Sequence, residues 1–315
     1  MTANFLFVSD DKYVKNLGIC TCSVIENMCA VVEKLRLFVM DCGINGENKA
    51  RLQKQALKYD NVELVFYNIN EKLHEVAPRV KTKWHPAIYG RLFLVDVLDQ
   101  YDDIDRIIYL DCDLLMARPV PELLTMDLRG KCLAGVADTA AKARKEALHI
   151  PQEYTYINSG VLVIDAAKWV ALDASRRIVE FINSFPEAFL YPDQDAINSI
   201  LYDEILTLPP QYNVMWMMCD RDIPKMKIYI EDFPYSEEEL SYALHQGRIY
   251  HFAGHDMWTF YGITPIHAKV FEKYRKLCDW RKEKRHFESP YKMLLWLLVS
   301  AKSILMGEWS FSHAE

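Results

Sequence analysis

The chain has 315 residues, 51% hydrophobic and 26% charged, which suffices for a sizeable core in one large domain or one domain with an appendage. Its net charge of -7 argues against a general nucleic-acid binder, although a local basic patch is compatible with it. The eight cysteines form no repeated CxxC pairs, so zinc spacing is absent, and most read as small buried hydrophobes in a reducing, cytoplasmic protein.

Met1 to Val8 lacks a basic region and a long apolar core, so it reads as a first strand rather than a signal peptide. Phe5 to Val8 is that strand, and it runs into Ser9-Asp10-Asp11. Leu17 to Leu35 then reads as a helix, Leu37 to Met40 as a second strand, Asn48 to Lys58 as a helix and Val62 to Tyr67 as a third strand. This alternation predicts βαβ units and a parallel sheet. Ala87 to Tyr101 follows as a helix, with Leu92, Val95, Leu98 and Tyr101 at helical spacing, and Ile107 to Leu110 as a central strand. Beyond it, Cys132 to Val136 and Gly160 to Ile164 read as strands separated by a loop and a polar helix. Trp169 to Ser184 reads as a helix, Asp195 to Leu201 as a short one, and Arg248 to Phe252 as a late strand.

The C-terminal part changes character. Lys269 to Arg285 is dense in Lys and Arg, with Tyr274 and Trp280 interleaved. Ser289 and Pro290 suit an N-cap and first helical residue for the apolar run Tyr291 to Val299, which Lys302 interrupts. At about 16 residues this run is too short and too interrupted to span a bilayer. A basic stretch before a Trp- and Leu-rich helix suits an anionic membrane interface; the alternative is a helix docked on the domain. The predicted organisation is a main domain over residues 1–265 and a basic, apolar helical segment over residues 266–315.

The most informative stretch is Tyr109-Leu110-Asp111-Cys112-Asp113. On a continuing strand, residues two apart point to the same face, so both carboxylates converge just past the strand's end, where open α/β sheets bind ligands. Like charges so close repel unless a cation or proton lies between them, which suggests a divalent metal for a phosphorylated substrate. The alternative is a polar strand-to-loop junction. Asn158-Ser159-Gly160 reads as a turn before a strand, whose small residues would also permit close approach of a ligand. In Asp193-Gln194-Asp195, Asp193 suits a helix N-cap and Asp195 the helix dipole; the other reading puts an amide and a carboxylate against a polyhydroxylated ligand. His251, ending the late strand, could add nitrogen to Asp111 and Asp113, an O,O,N set that suits Mn²⁺.

Together these segments resemble glycosyltransferase family 8. The pieces occur in the family's order: Val8-Ser9-Asp10-Asp11-Lys12-Tyr13, Tyr89-Gly90-Arg91, Tyr109 to Asp113, Asn158-Ser159-Gly160-Val161-Leu162, Asp193-Gln194-Asp195-Ala196-Ile197-Asn198 and His251-Phe252-Ala253-Gly254. The resemblance implies an α/β, GT-A type fold, with a mixed, mostly parallel central sheet flanked by helices and a small helical C-terminal tail. It implies a retaining hexosyltransferase that moves glucose or galactose from a UDP-sugar to a glycan or glycolipid, in lipopolysaccharide or other surface-glycan synthesis.

On this resemblance Asp111, Asp113 and His251 bind Mn²⁺, or Mg²⁺. Val8, Ser9, Asp10 and Tyr13 cradle uridine. Arg91, Asp111, Cys112, Asp138, Asn158 and Ser159 line the donor, Gly254 approaches its diphosphate, and Gln194 and Asp193 are the catalytic candidates. The tail looks like the membrane-attaching tail of bacterial members, which implies a cytoplasmic protein peripheral on the inner face of the membrane. One departure is clear: where the family continues to Lys-Pro-Trp, this chain reads His255-Asp256-Met257-Trp258. That departure motivates an alternative, a UDP-sugar-binding protein with degenerate catalysis. A sugar-nucleotide pyrophosphorylase is a further alternative, but it would carry a Gly-rich basic loop where Ser9-Asp10-Asp11 offers acid.

Overall fold

Alternating strand and helix dominate the first half of the chain, and they build a sheet buried on both faces. The computed structural model describes residues 1–76, 85–185, 189–219, 233–259, 265–286 and 290. β1 (Thr2–Ser9), α1 (Val14–Met28), β2 (Lys34–Asp41), α2 (Gly46–Ala56), β3 (Val62–Asn68) and α3 (Asn70–Val76) come first. A 3₁₀ helix (Pro86–Phe93) and α4 (Val95–Leu98) lead into β4 (Arg106–Leu110), β5 (Leu114–Met116), α5 (Pro121–Thr125), β6 (Leu133–Ala137), α6 (Ala141–Leu148) and β7 (Ile157–Asp165). Then follow α7 (Ala166–Ala171), α8 (Ala174–Ser184), α9 (Pro192–Leu201), β8 (Ile205–Thr207), β9 (Val214–Met215), α10 (Trp216–Cys219), α11 (Glu237–Gln246), β10 (Ile249–His251) and α12 (Pro265–Leu277).

The main sheet has the order β3-β2-β1-β4-β7-β6-β8. β1 pairs in parallel with both β2 and β4, and β2 in parallel with β3. β7 runs antiparallel to both β4 and β6. Each strand feeds two cores. Phe5, Phe7, Leu37 and Val39 pack on one face, and Leu6, Phe38 and Met40 on the other. A sheet covered on both faces selects apolar runs rather than alternation, as β1 and β2 display. The chain goes from β1 outward to β2 and β3, then returns to place β4 on β1's other side. That reversal opens a crevice at the carboxyl ends of β1 and β4, the usual ligand position in such sheets. A second sheet, β5-β10-β9, closes the crevice from the side.

Several elements differ from the sequence expectation. The helix expected over Leu17 to Leu35 ends at Met28, because β2 begins already at Lys34, paired with Thr2. The region Ala87 to Tyr101 is 3₁₀ as far as Phe93 and α-helical only over Val95–Leu98. Gly90 lets that turn press on β1, since a Cβ there would lie 2.5 Å from Val8 Cγ1. The helix expected over Trp169 to Ser184 is broken at Asp173, whose φ is +50°. β7 starts at Ile157, so Asn158 and Ser159 lie within the strand and not in a turn before it. The strand expected to continue through the acidic pair ends at Leu110, and Asp111 to Asp113 form the turn into β5.

The basic stretch after residue 265 sorts its residues by type. Phe271, Tyr274, Cys278 and Trp280 are buried in the same core as α1 and β1, while Lys269, Lys273, Lys276, Lys282 and Lys284 are exposed. Trp280 seats on Gly18 of α1, where a Cβ would lie 2.3 Å from its ring. The Arg51 guanidinium stacks on the same ring, 4.4 Å from the Trp280 centroid, and donates to the Asp279 carbonyl at 2.7 Å. The expected interfacial helix over Tyr291 to Val299 lies outside the described residues. Among the described residues, no helix is long and apolar enough to cross a membrane. Trp280→Ala is expected to lower the unfolding free energy by ~3–5 kcal/mol, read from urea denaturation. A loss below ~1 kcal/mol would show that this segment contributes little to the core.

Candidate active site

The turn after β4 is held by four hydrogen bonds to three parts of the chain. The Asp111 N–H donates to the Gly160 carbonyl at 2.9 Å, which ties the turn to β7. The Cys112 thiol donates to the Val8 carbonyl at 3.0 Å, which ties it to β1. The Phe252 N–H donates to the Asp113 carbonyl at 2.9 Å, and the Gly254 N–H donates to Asp113 Oδ2 at 2.9 Å. Ala253 and Gly254 both have positive φ, +44° and +85°, so the chain turns sharply to aim that N–H. Gly254 meets nothing within 4 Å on its Cβ side, which leaves room beside it.

His251 completes the cluster from β10. It pairs across to Leu114 of β5 and Met215 of β9. Its Nε2 lies 3.3 Å from Asp113 Oδ1 and 3.9 Å from Asp111 Oδ2, and ligand atoms of all three residues lie within 4.8 Å of one another. Nδ1 lies 2.9 Å from Asn213 Oδ1, while Asn213 Nδ2 donates to Asn158 Oδ1 at 2.9 Å. This chain of bonds makes Asn213 Oδ1 the acceptor, so Nδ1 carries the proton and Nε2 faces the carboxylates. Gly160 is required here, because a Cβ would lie 2.4 Å from the His251 ring. Burial opposes the charge on His251, but Asp113 and Asp111 outweigh it and hold the imidazole above its ordinary range. Burial likewise opposes ionisation of Asp113, and His251 with the Gly254 N–H overcomes it and holds that carboxyl low. Two carboxylates and an imidazole with its second nitrogen anchored fit a divalent cation.

Arg91, on the 3₁₀ helix, organises the next part. It bonds Asp111 Oδ1 at 2.8 Å, Asp193 Oδ2 at 3.0 Å and the Ser159 carbonyl at 2.7 Å, and stacks 4.2 Å from the Tyr109 ring centroid. The Tyr109 hydroxyl donates to Asp111 Oδ1 at 2.6 Å. Burial raises the Asp193 carboxyl, and Arg91 only partly offsets it. Asp193 is not the N-cap of α9: Tyr191 occupies the cap and Pro192 the first turn, so Asp193 is already helical and turned inward. Gln194 uses its whole amide. Its oxygen accepts from Asn158 Nδ2 at 3.2 Å and the Ser159 N–H at 3.0 Å; its nitrogen donates to Asp138 Oδ2 at 3.1 Å and Tyr156 Oη at 3.0 Å. Asp195 points away and is fully buried. It accepts from Arg144 at 3.0 and 2.6 Å, from Tyr156 at 2.6 Å, and from the Leu190 and Tyr191 N–H groups at 2.9 Å each.

Every residue to which the resemblance gives a metal, donor or catalytic role lines one cavity of about 470 Å³. Val8, Ser9, Asp10 and Tyr13 line it from β1; Arg91, Asp111, Cys112 and Asp113 from the centre. Asp138, Asn158, Ser159, Asp193 and Gln194 line it from the far strands and α9, and His251 and Gly254 from β10. At the β1 end, Asp10 accepts from the Tyr13 N–H at 2.8 Å, and Tyr13 remains 42% exposed. Sequence reasoning missed His85, Tyr109, Tyr191, Trp216 and Met217 in the lining, and Asn213 behind His251. Tyr109 carried a signal, being two residues before Asp111 on a strand; the others carried none. Met257 and Trp258 are buried in the core and bring no charge to the cavity.

The sequence model described as glycosyl transferase family 8 matches residues 4–255. This chain belongs to that family. General stress protein A of Bacillus subtilis is 33% identical over 207 residues, covering 65% of this chain and 71% of that protein. Lipopolysaccharide 1,2-glucosyltransferase of Escherichia coli K12 is 26% identical over 216 residues, 68% of this chain and 62% of that protein. Among solved structures, the galactosyltransferase LgtC in complex with donor and acceptor sugar analogs superposes with a TM-score of 0.67 at 20% identity, covering 90% of this chain and 99% of LgtC. That likeness fixes the fold as the GT-A type. The family 8 chain is thus a glycosyltransferase whose cavity carries an acidic and histidine cluster able to hold a metal ion.

Asn213→Ala frees the His251 ring without touching the cluster itself. It is expected to weaken divalent-cation binding by about 10- to 100-fold in calorimetric titration. An unchanged affinity would show that Asn213 does not orient the histidine. Asp195→Ala strands Arg144 in the interior and is expected to cost ~3–5 kcal/mol of stability in urea denaturation. Full stability with lost activity would move Asp195 from the scaffold to the chemistry.

Proposed function

We propose that this family 8 enzyme is a retaining transferase that moves a hexose, glucose or galactose, from a UDP-sugar to a glycan or glycolipid, with Mn²⁺ held by Asp111, Asp113 and His251. The observation that carries this reading is the opening of those three side chains onto the same cavity as Arg91, Asp193, Gln194 and the unobstructed side of Gly254. When bound, the cation would act as a Lewis acid that offsets the charge growing on the departing diphosphate. Asp10 and Tyr13 would hold the uridine, with the half-exposed Tyr13 ring against the base. Asp138, Asn158 and Asp193 would hydrogen-bond the transferred sugar.

Retention requires either a covalent intermediate or attack from the face the leaving group vacates. An amide is a poor nucleophile, and both acceptor positions of the Gln194 carbonyl are engaged by protein N–H groups. These bonds support same-face attack: the acceptor oxygen bonds to the anomeric carbon as the carbon–phosphate oxygen bond breaks. UDP leaves with the electron pair, and its β-phosphate oxygen takes the acceptor's proton. Gln194 then positions Asp138, Asn158 and Ser159, and Asp193 remains the competing nucleophile. The name of the Escherichia coli relative supports a lipopolysaccharide or related surface glycan as the acceptor's class.

A panel of UDP-glucose and UDP-galactose, with and without Mn²⁺ and with no acceptor, tests the donor and the metal together. Metal-dependent UDP release is expected, and Asp113→Asn is expected to abolish it. An undiminished Asp113→Asn rate would remove the metal assignment. We infer further that the segment from Pro290 onward attaches a cytoplasmic enzyme to the inner face of the membrane. Deleting it is expected to release the protein from anionic vesicles in a sedimentation assay. Full-length protein that never sediments would leave the segment a purely structural role.

A further inference from the structure

The loop that carries Gly254 is fastened at both ends. Asp113 holds its start through the Phe252 and Gly254 N–H groups. Asp256 closes the loop on itself: its side chain accepts from the Trp258 N–H at 3.0 Å, and its carbonyl accepts from the Thr259 N–H at 3.0 Å. The far end, Trp258 and Thr259, is held by residues that follow α12. The His286 N–H donates to the Trp258 carbonyl at 2.9 Å, and His286 forms a parallel bridge with Thr259. Arg285 Nη2 donates to the Thr259 carbonyl at 2.6 Å. The Arg285 guanidinium lies 5.3 Å from the Phe271 ring centroid, and that ring stands edge-on to Trp258 at 5.3 Å. Only 10% of the Arg285 side chain is exposed, and Nη1 lies 3.7 Å from Glu272 Oε1. A largely buried charged donor on a carbonyl is among the stronger bonds a loop can have.

The other end of the same segment is anchored on α1 and α2. The Asp279 N–H donates to Gln55 Oε1 at 3.1 Å, and its carboxylate lies 2.6 Å from Lys58 Nζ. Trp280 seats on Gly18, and Glu283 lies 3.7 Å from Lys15 and 3.8 Å from Arg51. Lys15 follows Tyr13 by two residues, at the start of α1. Residues 279–286 therefore run from the helix behind the proposed uridine pocket to the loop that turns the open side of Gly254 toward the cavity. Tyr13 and Gly254 lie far apart in sequence, and this segment joins the elements that carry them.

We propose that residues 279–286 are a strap that sets the spacing between the two halves of the nucleotide site, with Arg285 positioning the Gly254 loop. Arg285 acts through Thr259 and touches no substrate, so it is a positioning residue. The assignment rests on the UDP-sugar reading above and adds a part of the chain outside the cavity to it. Coupling of this kind is reciprocal: if the strap favours bound nucleotide, bound nucleotide tightens the strap by the same factor.

The test is calorimetric titration of the full-length protein with UDP in the presence of Mn²⁺. Arg285→Ala is expected to weaken UDP binding about tenfold, and Arg285→Lys, which keeps a charged donor for the Thr259 carbonyl, to recover most of it. The melting temperature of the UDP-free protein separates this role from a structural one. A lowered melting temperature with unchanged UDP affinity would leave Arg285 a packing residue and overturn the strap. Should Arg285→Ala not fold, hydrogen exchange on the unaltered protein decides: UDP with Mn²⁺ is expected to slow exchange at the His286 N–H about tenfold, together with that at Gly254. Exchange at His286 that ignores bound UDP would overturn the strap alone. Unaltered protein that binds no UDP, with or without Mn²⁺, would overturn the UDP-sugar reading itself.

Discussion

Two carboxylates held against each other in a buried turn are the constraint around which this molecule is built. Asp111 and Asp113 lie in the turn after β4 with ligand atoms inside a 4.8 Å cluster. Like charges at that range repel, and burial makes each charge dearer still. The fold answers with donors from every side. Arg91 and Tyr109 bond Asp111, the Gly254 N–H bonds Asp113, and the His251 ring stands 3.3 Å from Asp113. These donors come from a 3₁₀ helix, a central strand and the last strand of the second sheet, so the distant parts of the chain must all be in place for the pair to exist. The two positive φ values at Ala253 and Gly254 and the bare Cα of Gly160 are local consequences of that demand.

The fold was legible in the sequence where a single periodicity decided the element. β1, β3 and β4 appeared as apolar runs, and the parallel pairing of β1, β2 and β3 followed from the βαβ alternation. Boundaries failed where the chain's choice depended on a distant partner. Leu35 fits a helix that continues α1, and only pairing with β1 makes it strand. Asn158 and Ser159 look like turn residues, yet β6 and α9 supply bonds that keep them extended: Ser159 N–H is received by Gln194, and Asn158 reaches Asp138. Most of the cavity residues found in advance were polar groups at element ends. Among those missed, Trp216 and Met217 follow β9, so their placement depends on β9 pairing with β10, a contact between segments far apart in sequence.

The run Asp193-Gln194-Asp195 illustrates why spacing alone could not assign roles. Successive residues of a helix point in directions about 100° apart, so three neighbours serve three surroundings. Asp193 turns to Arg91 and the cavity. Gln194 turns to the strand residues Asn158 and Ser159. Asp195 turns inward to Arg144 and Tyr156, where it joins α6 to α9. Tyr156 links the last two, donating to Asp195 while it accepts from Gln194. A shift of α6 would therefore be felt at Gln194 through one hydroxyl, which couples scaffold and cavity without any shared charge.

The same economy explains why α12 packs where it does. His267 on this helix lies 3.0 Å from the Val214 carbonyl and 3.1 Å from the His251 carbonyl, so it bridges β9, which follows Asn213, and β10, which ends in His251. It is fully buried between the rings of Tyr250 and Phe252, and burial pushes its imidazole down to about 4, which keeps it neutral at physiological pH. A neutral ring bonded to backbone stiffens β9 and β10 without adding charge beside the acidic cluster. Were a lysine in its place, an extra cation would compete with whatever the cluster holds. α12 thus contributes to the cavity by fixing the strand that presents His251, and the buried Trp280 on Gly18 fixes the helix in turn.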